Sequence, residues 1–389
     1  MKRSDKFVFN IYLFLLLAFT WFMYNYWNST MDANTVGTLS SKWMNISYGV
    51  LVIFSLVMCI SYGRNSYRGI HAVCLLWVII MPIIIWLSKG NFAYYSITIL
   101  WPLLFELTYI FCLHYKGAVS SLRKIVIFIA IYGGYLFLMS RVDILHQTNT
   151  IYFVLLPLPF LLLGLTKKQQ TTLLILFSVF ALLSMKRSAM YSLAISWCFY
   201  FITVIKNRRG SQYMFGLSVV LAFGLFIGFE QIDKQLGGQI TERLNRDEAG
   251  DEKGRMVIWT VTTDMIQHSS LINLIIGHGH MGVYKDSILD ISAHNDFLEI
   301  IYDYGLIIFI LYLGLCGHVI RRCVKLYRIR SPLFLPYGVS LSIFLVMSLV
   351  GHLVLYASYF NFLVLFWAAV EAIKDRNLLM VKENAIKQL

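Results

Sequence analysis

The chain predicts an all-α integral membrane protein, a single polytopic domain over residues 1–389 with about twelve transmembrane helices. Three observations carry that prediction. Hydrophobic residues make up 58% of the chain and charged residues 14%, against about 25% charged in an ordinary soluble domain, so a water-soluble globule is excluded. A bilayer core about 30 Å thick takes roughly 20 apolar residues at about 1.5 Å rise each, and such runs recur along the whole chain. Runs such as IYLFLLLAFTWF and LLILFSVFALL show no strict alternation, which excludes a transmembrane β-barrel.

The apolar windows fall near 7–27, 46–62, 70–87, 95–115, 124–140, 151–166, 171–185, 188–205, 213–229, 297–320, 333–353 and 355–373. The first is longer than the core of a signal peptide and lacks a small-x-small cleavage site, so it is expected to stay as an anchor. Pro102 in the fourth window and Pro157 and Pro159 in the sixth predict kinks, which membrane helices tolerate where neighbours satisfy the freed carbonyls. No repeat of 20 to 50 residues is visible, and the two halves do not mirror each other.

Lys and Arg sort unevenly between alternate connections: 22 fall on the side of both termini and 11 on the other. Six of those 11 sit in one long connection, residues 230–296, leaving Lys42, Lys89, Arg141, Lys186 and Arg187 in the short loops of that side. The positive-inside rule then makes both termini cytoplasmic and turns the long loop between spans nine and ten outward. The net charge of +13 is spread over many short connections, not clustered on one face, so nucleic acid is not an expected partner. The six cysteines show neither a disulfide framework nor paired metal-ligand spacing.

Between Glu230 and Glu299 lie 12 of the 20 acidic residues. The loop begins polar and glycine-containing, DKQLGGQITERLNRDEAGDEKGR, and is expected to be mobile there. MVIWTVTTDMI, from Met256, has apolar positions at helical spacing and is expected to be a docked helix.

The chemistry-bearing residues gather from Ile275 onward, in IIGHGHMGVYKDSILDISAHNDFLEIIYDYGL. Gly277, Gly279 and Gly282 spell GxGxxG, but a dinucleotide fold needs a preceding buried strand and a βαβ unit, so the glycines are assigned to tight turns. His278, His280 and His294 lack the spacing of a metal site, and no metal or other cofactor is expected. His294, followed by Asn295, Asp296 and Glu299 where the tenth window begins, has two open readings. Its imidazole, with an ordinary pKa of about 6.5, accepts a proton near neutral pH, or it caps the helix at the interface.

Arg187 in MKRSAM, Arg255 in EKGRMVIW and Arg141 in LMSRVDIL are cations on the outer side, against the topology signal. Each either snorkels to lipid phosphate or recognises a phosphorylated lipid substrate, whose oxygens a guanidinium fork matches bidentately. Glu106, mid-window in LLFELTYIF, needs a partner, a proton or a cavity, and the choice stays open. His318, His352 and Glu371 read as structural. Trp259, Tyr284 and Tyr302 either stack on sugar faces or anchor at the interface.

On these residues the chain resembles the O-antigen polymerase and O-antigen ligase superfamily of bacterial envelope enzymes. His294-Asn295, nine residues, then Gly305-Leu306 resembles the family's H-[NSQ]-x9-G-[LIV] pattern at the end of its large periplasmic loop. GRMVIW around Arg255, IIGHGHMGV and KRSAM around Arg187 resemble its Arg-Trp helix, glycine-rich turn and short outer turn, so the likeness covers roughly residues 180–315. It implies a cofactor-independent glycosyltransferase of the bacterial inner membrane, its active site facing the periplasm. The implied donor is an undecaprenyl-diphosphate-linked oligosaccharide, with membrane lipid, a chain-length regulator and a flippase as further partners.

The implied catalytic residues are His294, Arg255 and Arg187. Arg141, Asn295, His278, His280 and Trp259 are the implied substrate contacts. Polymerase and ligase differ in acceptor, a second lipid-linked repeat unit or the lipid A core, and the net acidic loop favours the polymerase. A twelve-span transporter or flippase is the reading from another class, and its polar site belongs at the membrane midplane between related halves.

Overall fold

The computed structural model describes residues 3–30, 39–62, 68–88, 93–140, 149–184, 186–205, 254–354 and 357–388, with positions 234 and 237. All regular structure among them is helical. The helices are α1 (Arg3–Thr30), α2 (Leu39–Ser61), α3 (Ile70–Leu87), α4 (Ala93–His114), α5 (Ala118–Met139), α6 (Ile151–Leu155), α7 (Leu158–Leu161), α8 (Lys167–Leu183) and α9 (Arg187–Ile205). After the long connection come α10 (Arg255–Gln267), α11 (Leu271–Ile276), α12 (Gly282–Asp286), α13 (Asp296–Arg328), α14 (Phe334–Val350) and α15 (Ala357–Gln388).

Helices occupy every apolar window except 213–229, which lies outside the described residues together with Arg141 and most of the loop's polar beginning. Five are long and apolar enough to cross a bilayer: Asp5–Tyr26, Lys42–Ser61, Ile70–Leu87, Ala118–Met139 and Asp296–Arg328. The protein is therefore an all-α, multi-span membrane-type protein with at least five such helices.

Local sequence explains where the helices break. Pro82 and Pro102 sit inside α3 and α4 without interrupting them. Pro157 and Pro159 split the sixth window into α6 and α7, because each proline ring removes a backbone donor and crowds the preceding turn. α8 starts earlier than its apolar window: Thr166 and Gln169 close a capping box that satisfies the first-turn donors of a polar segment.

α15 is the centre of the bundle. From Phe360 to Val370 its residues are almost wholly buried, as expected of a helix apolar on all sides. α2 and α5 lie at the periphery and leave Ile53, Ile60, Phe128 and Ile131 exposed, a surface suited to lipid tails. α9 and α14 approach closely through small residues: Ser196 and Ser342 share a hydrogen bond at 2.8 Å, and the Ser342 hydroxyl donates to the Ser192 carbonyl at 3.0 Å.

The helices alternate in direction. α5 ends where α6 begins, with Ser140 and Thr150 hydroxyls 3.2 Å apart, and the Tyr24 hydroxyl at the end of α1 donates to the Phe153 carbonyl at 3.2 Å. The starts of α9 and α13 and the end of α14 share this end of the bundle. The opposite end holds the basic termini of α13 and α15, where Arg322 donates to Glu371 at 3.0 Å and His318 lies 3.4 Å from it. Glu106 finds its partner across α3 and α4, with His71 Nδ1 at 2.8 Å from Oε1.

Candidate active site

The site is built around a loop turn, two buried carboxylates and three helix N-termini. His294 adopts a left-handed backbone, φ 50°, which turns the chain sharply just before α13. Asn295 then caps α13: its Oδ1 accepts from the Phe297 and Leu298 amides at 2.9 and 3.3 Å, and its Nδ2 donates to the Leu349 carbonyl at 3.1 Å. Asp296, fully buried, accepts from the Leu353 amide at 3.1 Å and the Val354 amide at 3.1 Å. The end of α14 is thereby pinned to the start of α13.

This pinning delivers His352. Its Nδ1 lies 2.7 Å from Glu299 Oε2, and its ring sits 4.5 Å from the His294 ring, centroid to centroid. One proton lies between Nδ1 and Oε2, so the imidazole is held in place by the Glu299 carboxyl group. His352, taken from the sequence as structural, therefore stands beside His294. Only its position between two apolar runs signalled it, and the partner carboxylate is 53 residues away.

The cations come from two further N-termini. α9 opens on Arg187 directly after Lys186, and α10 opens on Arg255. Desolvation of the His294 ring comes first, and the charges of His352, Arg255 and Lys186 add to it, so its pKa is pushed down to about 4. His294 is consequently neutral at neutral pH, with a ring nitrogen free to accept a proton. His352 is also lowered, by burial, against the opposing pull of Asp296.

Arg255 also acts electrostatically on the Tyr152 hydroxyl, which shares a 2.5 Å hydrogen bond with Ser188 next to Arg187. Lys186, Arg255 and the two imidazoles thus gather at one end of the bundle, with the first turn of α9 linked to them through Tyr152. Helix N-termini bring partial positive charge to the same place, an arrangement that favours an anion.

The glycine-rich turn serves as the platform. Gly277 has φ 81°, and a Cβ there would stand 2.2 Å from the Asp303 carbonyl oxygen. Gly305 breaks α13 at φ 77°, where a Cβ would stand 2.3 Å from the Ile275 carbonyl oxygen. The two backbones meet, with the His278 amide donating to Tyr302 at 2.9 Å and the Gly279 amide to Asp303 at 2.8 Å. The glycine of the His-Asn…Gly-Leu pattern is thus required by close approach and a left-handed backbone.

His278 stacks on the Tyr302 ring at 3.9 Å, and His280 Nδ1 hydrogen-bonds the Tyr304 hydroxyl. Burial, helped by Lys285, pushes the His280 pKa down to about 4. Trp259 donates from Nε1 to the Ala293 carbonyl at 3.0 Å, so α10 holds the residue preceding His294. Ile258, Val283, Ala293 and Tyr302 form a small apolar cluster beneath it, and the predicted docking of α10 is observed.

Fold and site define a multi-span helical membrane protein with a cationic, imidazole-bearing centre at one end of its bundle. Residues 172–313 match the model of the O-antigen ligase family. The match embraces Arg187, Arg255, the glycine-rich turn, His294 and Gly305, in agreement with the resemblance drawn from those motifs. No curated protein matches the chain.

Proposed function

We propose that the protein is an O-antigen polymerase that joins undecaprenyl-diphosphate-linked oligosaccharide repeat units at the periplasmic face of the inner membrane. The observation that carries the reading is the convergence of Arg255 and Lys186 on a neutral His294 whose neighbour His352 is held by Glu299. A lipid diphosphate suits such a centre, because it arrives as an anion and leaves with its charge increased.

In the proposed step, a hydroxyl of the acceptor sugar attacks the anomeric carbon of the donor. The new C–O bond forms as the bond from the anomeric carbon to the phosphate oxygen breaks, and both bonding electrons leave with the lipid diphosphate. The hydroxyl proton passes to His294. Arg255 and Arg187, with Arg141 as a further contact, stabilise the departing anion. His352 and Glu299 position the His294 ring. Asn295 and Trp259 act through the backbone they hold, and His278 and His280 line the sugar side. The basic opposite end, with Arg321, Arg322, Arg328 and Arg330, supports a periplasmic orientation of the His294 end.

The ligase reading is favoured by the description of the matching family and differs only in acceptor, the lipid A core. A deletion strain separates the two. Single-repeat lipopolysaccharide is the expected phenotype; loss of all capped lipopolysaccharide, with lipid-linked polymer accumulating, would indicate the ligase. His294→Ala is expected to lower activity by about 10²- to 10⁴-fold and Arg255→Ala by about 10²- to 10³-fold, both at normal membrane levels. Wild-type polysaccharide ladders from either variant would refute its role.

A further inference from the structure

At the end of the bundle remote from His294, the turn before α8, the end of α9 and the α13–α14 turn enclose a cleft of about 320 Å³. Lys167 and Arg330 line it and are both exposed, and no Asp or Glu stands among its lining residues. Neither cation has a carboxylate partner within ion-pairing distance among the described residues. Gln170 also lines the cleft; it is only 5% exposed, and its Oε1 is buried without a hydrogen bond. Turning that amide presents an N–H in the same place.

The first turns of α8 and α14 and the last turns of α9 and α13 all reach the cleft, so the helix-end charges offset and the positive charge there is that of Lys167 and Arg330. Leu165 and Phe334 make the wall apolar, and Tyr327, 40% exposed, stands at its edge. Paired cations, an unsatisfied buried amide and an adjoining apolar surface match one ligand chemistry: a phosphodiester joined to hydrocarbon. Basic pockets between transmembrane helices recognise anionic headgroups in this way.

We propose that this cleft is a binding site for an anionic membrane phospholipid. Lys167 and Arg330 hold the phosphate, Gln170 hydrogen-bonds the polar headgroup, and the acyl chains run out over the apolar wall. The site is separate from the His294 centre and takes a resident lipid, not the glycan donor.

The test uses the full-length protein, purified in mild detergent, stripped of lipid and offered phosphatidylglycerol or phosphatidylcholine under native mass spectrometry. Wild type is expected to retain phosphatidylglycerol in preference to phosphatidylcholine. Lys167→Gln with Arg330→Gln is expected to weaken that retention by roughly tenfold or more, and Gln170→Leu by less. Arg321→Gln, an exposed cation of the same end outside the cleft, is expected to change nothing.

Equal retention of the two lipids by wild type, unchanged retention by the double variant, or an equal loss with Arg321→Gln would overturn the proposal. Inorganic phosphate in excess distinguishes the two sources of a phosphate group. Occupancy by phosphate alone, with no lipid preference, would assign the cleft to a free anion and overturn the lipid assignment. A thermal midpoint of the double variant matching wild type shows that any loss is one of binding, since both substituted side chains are exposed.

Discussion

His294 is set by its surroundings more than by its own chemistry. An ordinary imidazole is half-protonated near pH 6.5, whereas this one is held to about 4 by desolvation and by neighbouring cations. A base is competent only when unprotonated, so the acid limb of kcat/KM that His294 sets is expected near pH 4, well below the limb of an ordinary imidazole. Lys186→Gln removes one opposing cation, eases protonation and is expected to move that acid limb to higher pH; a limb that stays put or moves lower would contradict the electrostatic reading. Binding of an anionic donor acts in the same direction, so the limb of kcat is expected at higher pH than that of kcat/KM. Glu299→Ala removes the carboxyl group that holds His352, whose ring lies 4.5 Å from His294. It is expected to lower kcat by up to about 10²-fold with KM little changed, the signature of lost positioning. An effect confined to KM would point instead to a substrate contact.

At the scale of elements, the site depends on helix ends and breaks, not on helix interiors. α13 begins at a side-chain cap, breaks at Gly305 and resumes, and the break lets the glycine-rich turn lie against its backbone. Gly305→Ala meets both a left-handed φ of 77° and a carbonyl 2.3 Å from its new Cβ. The expected loss is about 3 kcal/mol or more, read as a lower thermal midpoint in detergent and reduced membrane level. Gly314, in the continuous part of the same helix, has only an ordinary side-chain contact at 3.5 Å, so Gly314→Ala is expected to be tolerated. Equal tolerance of both would show that the break is not required.

At the scale of the molecule, alternating helices sort polar groups to two ends around the apolar α15. One end carries the imidazoles and the N-termini of α9, α10 and α13, and the other carries Arg322, Glu371 and the cleft beside Lys167 and Arg330. We propose from the charge bias that the second end faces the cytoplasm. A fluorescent reporter that matures only in the cytoplasm, fused after Leu389, is therefore expected to be bright. A dark fusion together with a bright one inserted in the 230–253 loop would invert the orientation and remove the periplasmic assignment of the His294 centre.

Composition and periodicity by themselves determined the class of this protein, because 58% hydrophobic residues and recurrent apolar runs leave helices as the economical way to satisfy the backbone in lipid. The order of motifs from Arg187 to Gly305 also made the candidate site legible, since loop side and spacing are properties of the chain. Tertiary structure alone decided that Glu106 pairs with His71, that Asn295 spends its side chain on a cap and on Leu349, and that His352 joins His294 through Glu299. The physical reason is distance along the chain: local signals report helical period, caps and turns, whereas these pairings join residues up to 54 positions apart. Packing the antiparallel helices brings them together, and no local pattern encodes that.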